Sequence, residues 1–124
     1  MALAAACSSN SVVGKWKVSQ RYDVFYENWK PVDQELYLEF FTDGRYKSSV
    51  EGALTSGTYM VDQTQSPYRI LFNDDKSGSF NAIIKIDGNT LTLKSSKDTK
   101  SQCTTNFQNG KDDVNCEMVT LERK

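Results

Sequence analysis

The chain has no histidine among its 124 residues. That absence removes every mechanism that turns on an imidazole, including Ser-His-Asp and Cys-His nucleophilic sites and His-ligated zinc or iron. Any catalysis would rest on carboxylates, Tyr, Lys or Cys. There is no excess of either charge: 15 Lys and Arg against 16 Asp and Glu leave a formal charge of -1. Binding a phosphate backbone needs a basic face, so no nucleic acid partner is expected. Lys94, Lys97, Lys100 and Lys111 cluster loosely among Ser, Asp and Gln, which reads as a solvated loop. No apolar run approaches the ~18 residues of a membrane-spanning helix. Cysteine is scarce, at 3 residues. Their spacing is too wide for a thiolate metal cluster, so neither a metal nor another cofactor is expected.

What is present fits one globular domain. The length suits a single core that buries roughly two thirds of the unfolded surface. A charged fraction of 25% argues against wholesale disorder.

Beyond the first residues the pattern has period two. Val12, Gly14, Trp16 and Val18 share one face of a first strand, with Lys15, Lys17 and Ser19 on the other. Leu36, Leu38 and Phe40 line a second strand that ends at Asp43-Gly44. An Asp-Gly pair between alternating runs is a hairpin signal, because Gly accepts the positive φ of the turn. Tyr46, Ser48 and Val50 follow on a third strand, and Tyr59 and Val61 on a fourth. Pro67 opens a fifth strand, with Ile70 and Phe72, where a missing N–H is tolerated. Phe80, Ala82, Ile84 and Ile86 face one way on a sixth, and Asp87-Gly88 turns it into a seventh with Leu91 and Leu93. Val119 and Leu121 lie on a last strand over residues 115–123.

About eight strands with short connections and no long helical period predict an all-β fold. Successive hairpin signals favour a single eight-stranded antiparallel up-and-down barrel, since closure removes exposed edges. Two segments break the pattern. Residues 22–33 carry Tyr22, Phe25, Tyr26 and Trp29 ahead of Pro31, and are expected to include one short helical turn in the first connection. Residues 95–113 are polar, with Asn109-Gly110 as a turn.

Cys103 and Cys116 flank that polar stretch. In an oxidising compartment they are a candidate disulfide, worth about 3 kcal/mol for a loop of that length in the chain-entropy picture. The alternative is two unpaired thiols. Cys7 stands apart: residues 1–9 run through small apolar residues to Cys7 and then turn polar at once. This resembles the tail of a bacterial lipoprotein signal, in which the peptidase cuts before a cysteine that then carries lipid. Leu3 sits one place further from Cys7 than that motif would have it. Residues 1–11 are therefore expected to be a signal remnant and flexible tether, and 12–124 the domain. The alternative is an incidental cysteine in a frayed start.

Gly14-Lys15-Trp16 at the start of the first strand resembles the lipocalin signature. Val13-Gly14-Lys15-Trp16-Lys17, Leu38-Glu39-Phe40 before Asp43-Gly44, Gly57-Thr58-Tyr59 and Leu91-Thr92-Leu93 after Asp87-Gly88 together look similar to the lipocalin-like (calycin-type) lipoproteins of Bacteroides-type bacteria. The resemblance spans most of residues 12–123. It implies that Trp16 closes one end of the barrel against an Arg from near the last strand, a role for which Arg123 is placed. It also implies export to the cell envelope on a lipid anchor at Cys7.

Three functions compete. The first is a non-enzymatic module binding a small hydrophobic ligand in or at the mouth of the barrel. Its candidate contacts are Tyr46, Tyr59, Phe72 and Phe80, with Tyr22, Phe25, Tyr26 and Trp29 as plug or lid. The second is an interaction or inhibitor domain with a solid core, meeting an envelope protein or a glycan through its loops. The third is an enzyme using Glu35, Glu39, Asp62 or Glu117 as paired carboxylates. Alternation puts most of those on the solvent face, and no catalytic residue is assigned.

Overall fold

A computed structural model describes residues 11–23, 26–50, 52–96, 107 and 116–124. These form nine strands: β1 (Gly14–Asp23), β2 (Asn28–Pro31), β3 (Tyr37–Phe40), β4 (Arg45–Ser48), β5 (Thr55–Asp62), β6 (Tyr68–Asp74), β7 (Gly78–Asp87), β8 (Thr90–Ser96) and β9 (Cys116–Arg123). Every pairing is antiparallel. β3 through β9 pair in sequence order, and β1 pairs with both β3 and β9. The result is a closed eight-stranded barrel with one extra strand. Closure gives each barrel strand two partners and leaves no open edge in the ring.

The extra strand replaces the expected helical turn. β2 pairs with Gln20–Asp23 of β1, while β3 pairs with Gly14–Lys17. β9 pairs with Trp16–Arg21, so β2 and β3 share the other edge of β1. They are two pieces of one partner, interrupted by residues 32–36. Across the gap the Val32 N–H donates to Ser19 O at 3.0 Å and the Val18 N–H to Leu36 O at 2.8 Å. A helical turn here would have left the upper edge of β1 without partners, and backbone groups seek them. Tyr26 and Glu27 turn the hairpin. The Tyr26 N–H donates to Asp23 Oδ1 at 3.2 Å, and Glu27 adopts a φ of 53°. Val24 and Phe25 lie outside the described residues.

The expected Asp-Gly turns are present. Gly44 has a φ of 87° and Gly88 of 62°, the left-handed region that Gly enters without cost to a Cβ. Because neighbouring strands alternate in direction, the β3–β4, β5–β6 and β7–β8 turns share one end with the start of β1 and the finish of β9. The β1–β2 hairpin and the β4–β5 and β6–β7 connections gather at the opposite end.

Period two then fills the interior. Trp16, Val18, Leu38, Phe40, Tyr46, Ile70, Phe72, Ala82, Ile84, Leu91, Leu93, Val119 and Leu121 join one buried cluster, with Val12 beneath it. A bulge interrupts the alternation between Val18 and Gln20. There the Ser19 hydroxyl meets Thr120 O at 3.1 Å and Thr120 Oγ1 at 3.0 Å. The extra residue turns Arg21 inward beside Val119, a use to which bulges are often put.

One part of the outer wall is also buried. Ile83, Lys94 and Met118 alternate with core residues, so they face outward, and they are adjacent in register across β7, β8 and β9. All three are buried, Lys94 to 1% exposure. The expected solvated position of Lys94 is thus corrected: it is a covered strand residue. Lys97, Lys100 and Lys111 lie outside the described residues, as does Asn109-Gly110.

Candidate functional site

At the end where the termini meet, three predicted residues come together. The Trp16 indole N–H donates to Val12 O at 2.8 Å. The Arg123 guanidinium carbon sits 4.2 Å from the centre of the Trp16 ring, a favourable cation–π placement. Arg123 Nη1 donates to Val13 O at 2.8 Å and Nη2 to Ser11 O at 3.0 Å. Gly14 makes the approach possible. Its φ is 133°, and a Cβ there would stand 2.9 Å from Arg123 Nη1. Gly14, Trp16 and Arg123 therefore form one closure of the barrel.

The interior candidates pack against one another. Phe72 is at the centre, stacked on Phe80 at 4.9 Å between centroids and met edge-on by Tyr46 at 4.9 Å. Phe40 lies 6.0 Å from Phe72 and 4.7 Å from Tyr59. Both phenol groups are occupied, with Tyr46 donating to Asp74 Oδ2 at 3.1 Å and Tyr59 to Phe41 O at 2.7 Å. Burial, then the Asp74 charge, pushes the Tyr46 hydroxyl well above its ordinary pKa. Burial and then Asp43 raise that of Tyr59. The backbone N–H groups of Lys76 and Ser77 hold the Asp74 carboxyl below its usual range. Tyr46, Tyr59, Phe72 and Phe80 are thus joined, with Phe40, in one packed aromatic cluster inside the barrel.

The aromatic segment of the first connection is elsewhere. Tyr22 and Trp29 are opposite one another on the β1–β2 hairpin and meet edge-to-face at 5.4 Å. Alternation sets Tyr22 on the face opposite the inward-turned Arg21. Tyr26 is 73% exposed, with Lys30 Nζ 4.3 Å from its ring centre, and Lys30 also pairs with Asp23 at 2.9 Å. Phe25, Cys7 and Cys103 lie outside the described residues. Cys116 is disulfide-bonded; the chain's other cysteines are Cys7 and Cys103, so its partner is not among the described residues.

The four candidate carboxylates do not share a cleft. Glu39 lies opposite Lys15 and Lys47 on the outer wall. Glu35 and Asp62 are exposed, and hydrogen bonds from Thr64 hold the Asp62 carboxyl below its usual range. Glu117 is the one of the four that is buried, and it pairs with Arg21 Nη1 at 2.7 Å. Arg21 Nη2 also donates to Val50 O at 2.9 Å, tying β1, β9 and the β4–β5 connection at the end opposite Trp16. The signal was in the spacing, because Glu117 stands two residues before inward-facing Val119.

A ligand-sized space opens beside the filled core. Tyr68 at the start of β6 pairs with Ile84 of β7, whereas Lys85 and Ile86 have partners only on β8. β7 thus outruns β6 and leaves a notch. Ser66, Pro67, Tyr68, Ile84, Lys85, Ile86 and Phe107 line a crevice of about 310 Å³ there. The Ser66–Pro67 bond is cis. Phe107 arrives from the β8–β9 connection, some twenty positions beyond Lys85 and far from Pro67 in the chain. Sequence reasoning did not single out this site. The available signal was one Phe in an otherwise polar stretch, since a large apolar side chain is seldom left in solvent. No family model, curated protein or solved structure matches the chain.

Proposed function

We propose that this protein is a non-enzymatic binding module of the bacterial cell envelope, carried on a lipid anchor at Cys7. It takes a small hydrophobic ligand in the crevice at the mouth of the β6–β7 notch. The observation that carries this reading is the crevice itself. It has the volume of a small ligand site and walls of Pro67, Tyr68, Ile84, Ile86 and Phe107, the apolar lining such sites use. The aromatic packing around Phe72 favours this position over the barrel axis. The resemblance of Gly14-Lys15-Trp16 and its neighbours to lipocalin-like lipoproteins supports the envelope setting.

Titration with the neutral fluorophore N-phenyl-1-naphthylamine tests the reading. Saturable binding at one site is expected, weakened by Phe107→Ala and by Ile86→Asp in variants whose circular dichroism matches the parent. Absence of saturable binding would overturn it. Native mass spectrometry of protein from its own host would report lipid mass on Cys7.

A second reading, an interaction domain for an envelope protein or glycan, is favoured by the filled core and by two exposed apolar tips. Tyr26 and Leu54 are 73% and 75% exposed, both at the end opposite Trp16. If the fluorophore does not bind, this reading takes precedence.

A further inference from the structure

We infer that the crevice selects an amphipathic anion, an apolar body carrying one acidic head, with Lys85 as the residue that receives the head. This rests on the reading above that the crevice binds a ligand. Of the lining residues only Ser66, Tyr68 and Lys85 carry a polar side chain, and Lys85 alone is charged. Lys85 projects from the part of β7 that β6 no longer covers, opposite Thr92 of β8. Its alternation with Ile84 and Ile86, which turn toward the core, sends the Lys85 side chain to the exposed outer face, on the open side of the crevice. Among the described residues Lys85 makes no ion pair. The nearest acid on its strand face, Asp87, is exposed and stands beyond the lining. A cation with no counter-ion among the described residues, at the lip of an apolar recess, favours a ligand whose charged end stays at the water boundary while its body is buried. Long lysine stems suit this division, covering apolar surface while the head remains hydrated. A neutral ligand would gain the walls and nothing from Lys85. A cationic one would meet repulsion.

Competition against the bound fluorophore with octanoate, 1-octanol and octylammonium at pH 7 separates the possibilities. The apolar body is constant, so differences report the head. Because Lys85 is exposed, the preference for octanoate over octanol should be modest, about three- to fivefold at low salt, shrinking as salt is raised. Lys85→Gln should bring octanoate level with octanol and leave octanol unchanged. Lys85→Glu should reverse the order in favour of octylammonium. Lys85 is an exposed strand residue outside the core, so these variants should fold. Equal displacement by all three ligands, with Lys85→Gln silent, overturns this inference and leaves apolar binding standing. An octanoate preference that survives Lys85→Gln overturns the assignment to Lys85. Failure of the fluorophore and all three ligands to bind overturns both readings.

Discussion

The Arg123 guanidinium lies 4.2 Å over the Trp16 ring while both its terminal nitrogens donate to the chain leading into β1, at Val13 O and Ser11 O. One side chain therefore joins the last strand to the first at three points. Trp16 and Arg123 are also cross-strand partners in the β1–β9 ladder, so side-chain and backbone closure coincide.

Arg123→Ala should lower unfolding stability by about 2–4 kcal/mol, from two charge-assisted hydrogen bonds and the ring contact. Arg123→Lys keeps the charge but not the planar fork, and should recover less than half of that loss. Urea denaturation followed by Trp fluorescence measures both.

Gly14→Ala should cost about 1–3 kcal/mol, because residue 14 is in a left-handed conformation and its new Cβ would press on Arg123 Nη1. The steric part disappears when Arg123 is also truncated. The double variant Gly14→Ala/Arg123→Ala should thus be more stable than the sum of the single losses predicts. Strict additivity would show that Gly14 serves backbone conformation alone.

Tyr46 and Asp74 predict a stability profile that falls at both extremes of pH. The Asp74 pKa is lowered by the N–H groups of Lys76 and Ser77. Its contribution is therefore present above the ordinary carboxylate value and lost as pH falls below about 4. The Tyr46 pKa is raised by burial, so its contribution is present below the ordinary phenol value and lost as pH rises beyond about 10. Asp74→Asn should flatten part of the acid limb, with Asp62 supplying a remainder. Tyr46→Phe should flatten part of the alkaline limb and cost about 1–2 kcal/mol at neutral pH for the lost hydrogen bond. Thermal melts from pH 2 to 11 check each limb.

Phe72→Ala should destabilise the protein by about 3–5 kcal/mol, since it empties the centre of a cluster that holds Phe40, Tyr46 and Phe80. Guanidinium denaturation gives the value. A loss below about 1 kcal/mol would mean that the barrel axis is not packed.

The strands and the hairpin turns were legible in the residues because each follows from a local rule. Alternation of Leu38 with Phe40, or of Leu91 with Leu93, requires one buried face, and Asp43-Gly44 and Asp87-Gly88 need positive φ at the turn. The juxtaposition of Gly14, Trp16 and Arg123 was legible through the family resemblance of a short motif. Where local rules stop, the reading failed. The run around Trp29 has too few residues to show a period, so the open edge of β1 decided that it became β2. Alternation puts most of the candidate carboxylates on the solvent face, but the spacing of Glu117 from Val119 points it inward, and a bulge on a neighbouring strand supplies its arginine.

The sequence by itself determined an all-β meander, its turn positions and the residues that face the core, because period two and turn chemistry act over a few neighbouring residues. Tertiary structure alone decided what that core leaves free. Whether Tyr46, Tyr59, Phe72 and Phe80 stand apart or meet depends on how four strands converge, and they are joined in one cluster with Phe40. Whether a crevice exists beside them depends on β7 running past β6 while Pro67 and Phe107, distant in the chain, arrive at the same notch. Such sites are set by the relative lengths and placement of strands, which no local pattern encodes.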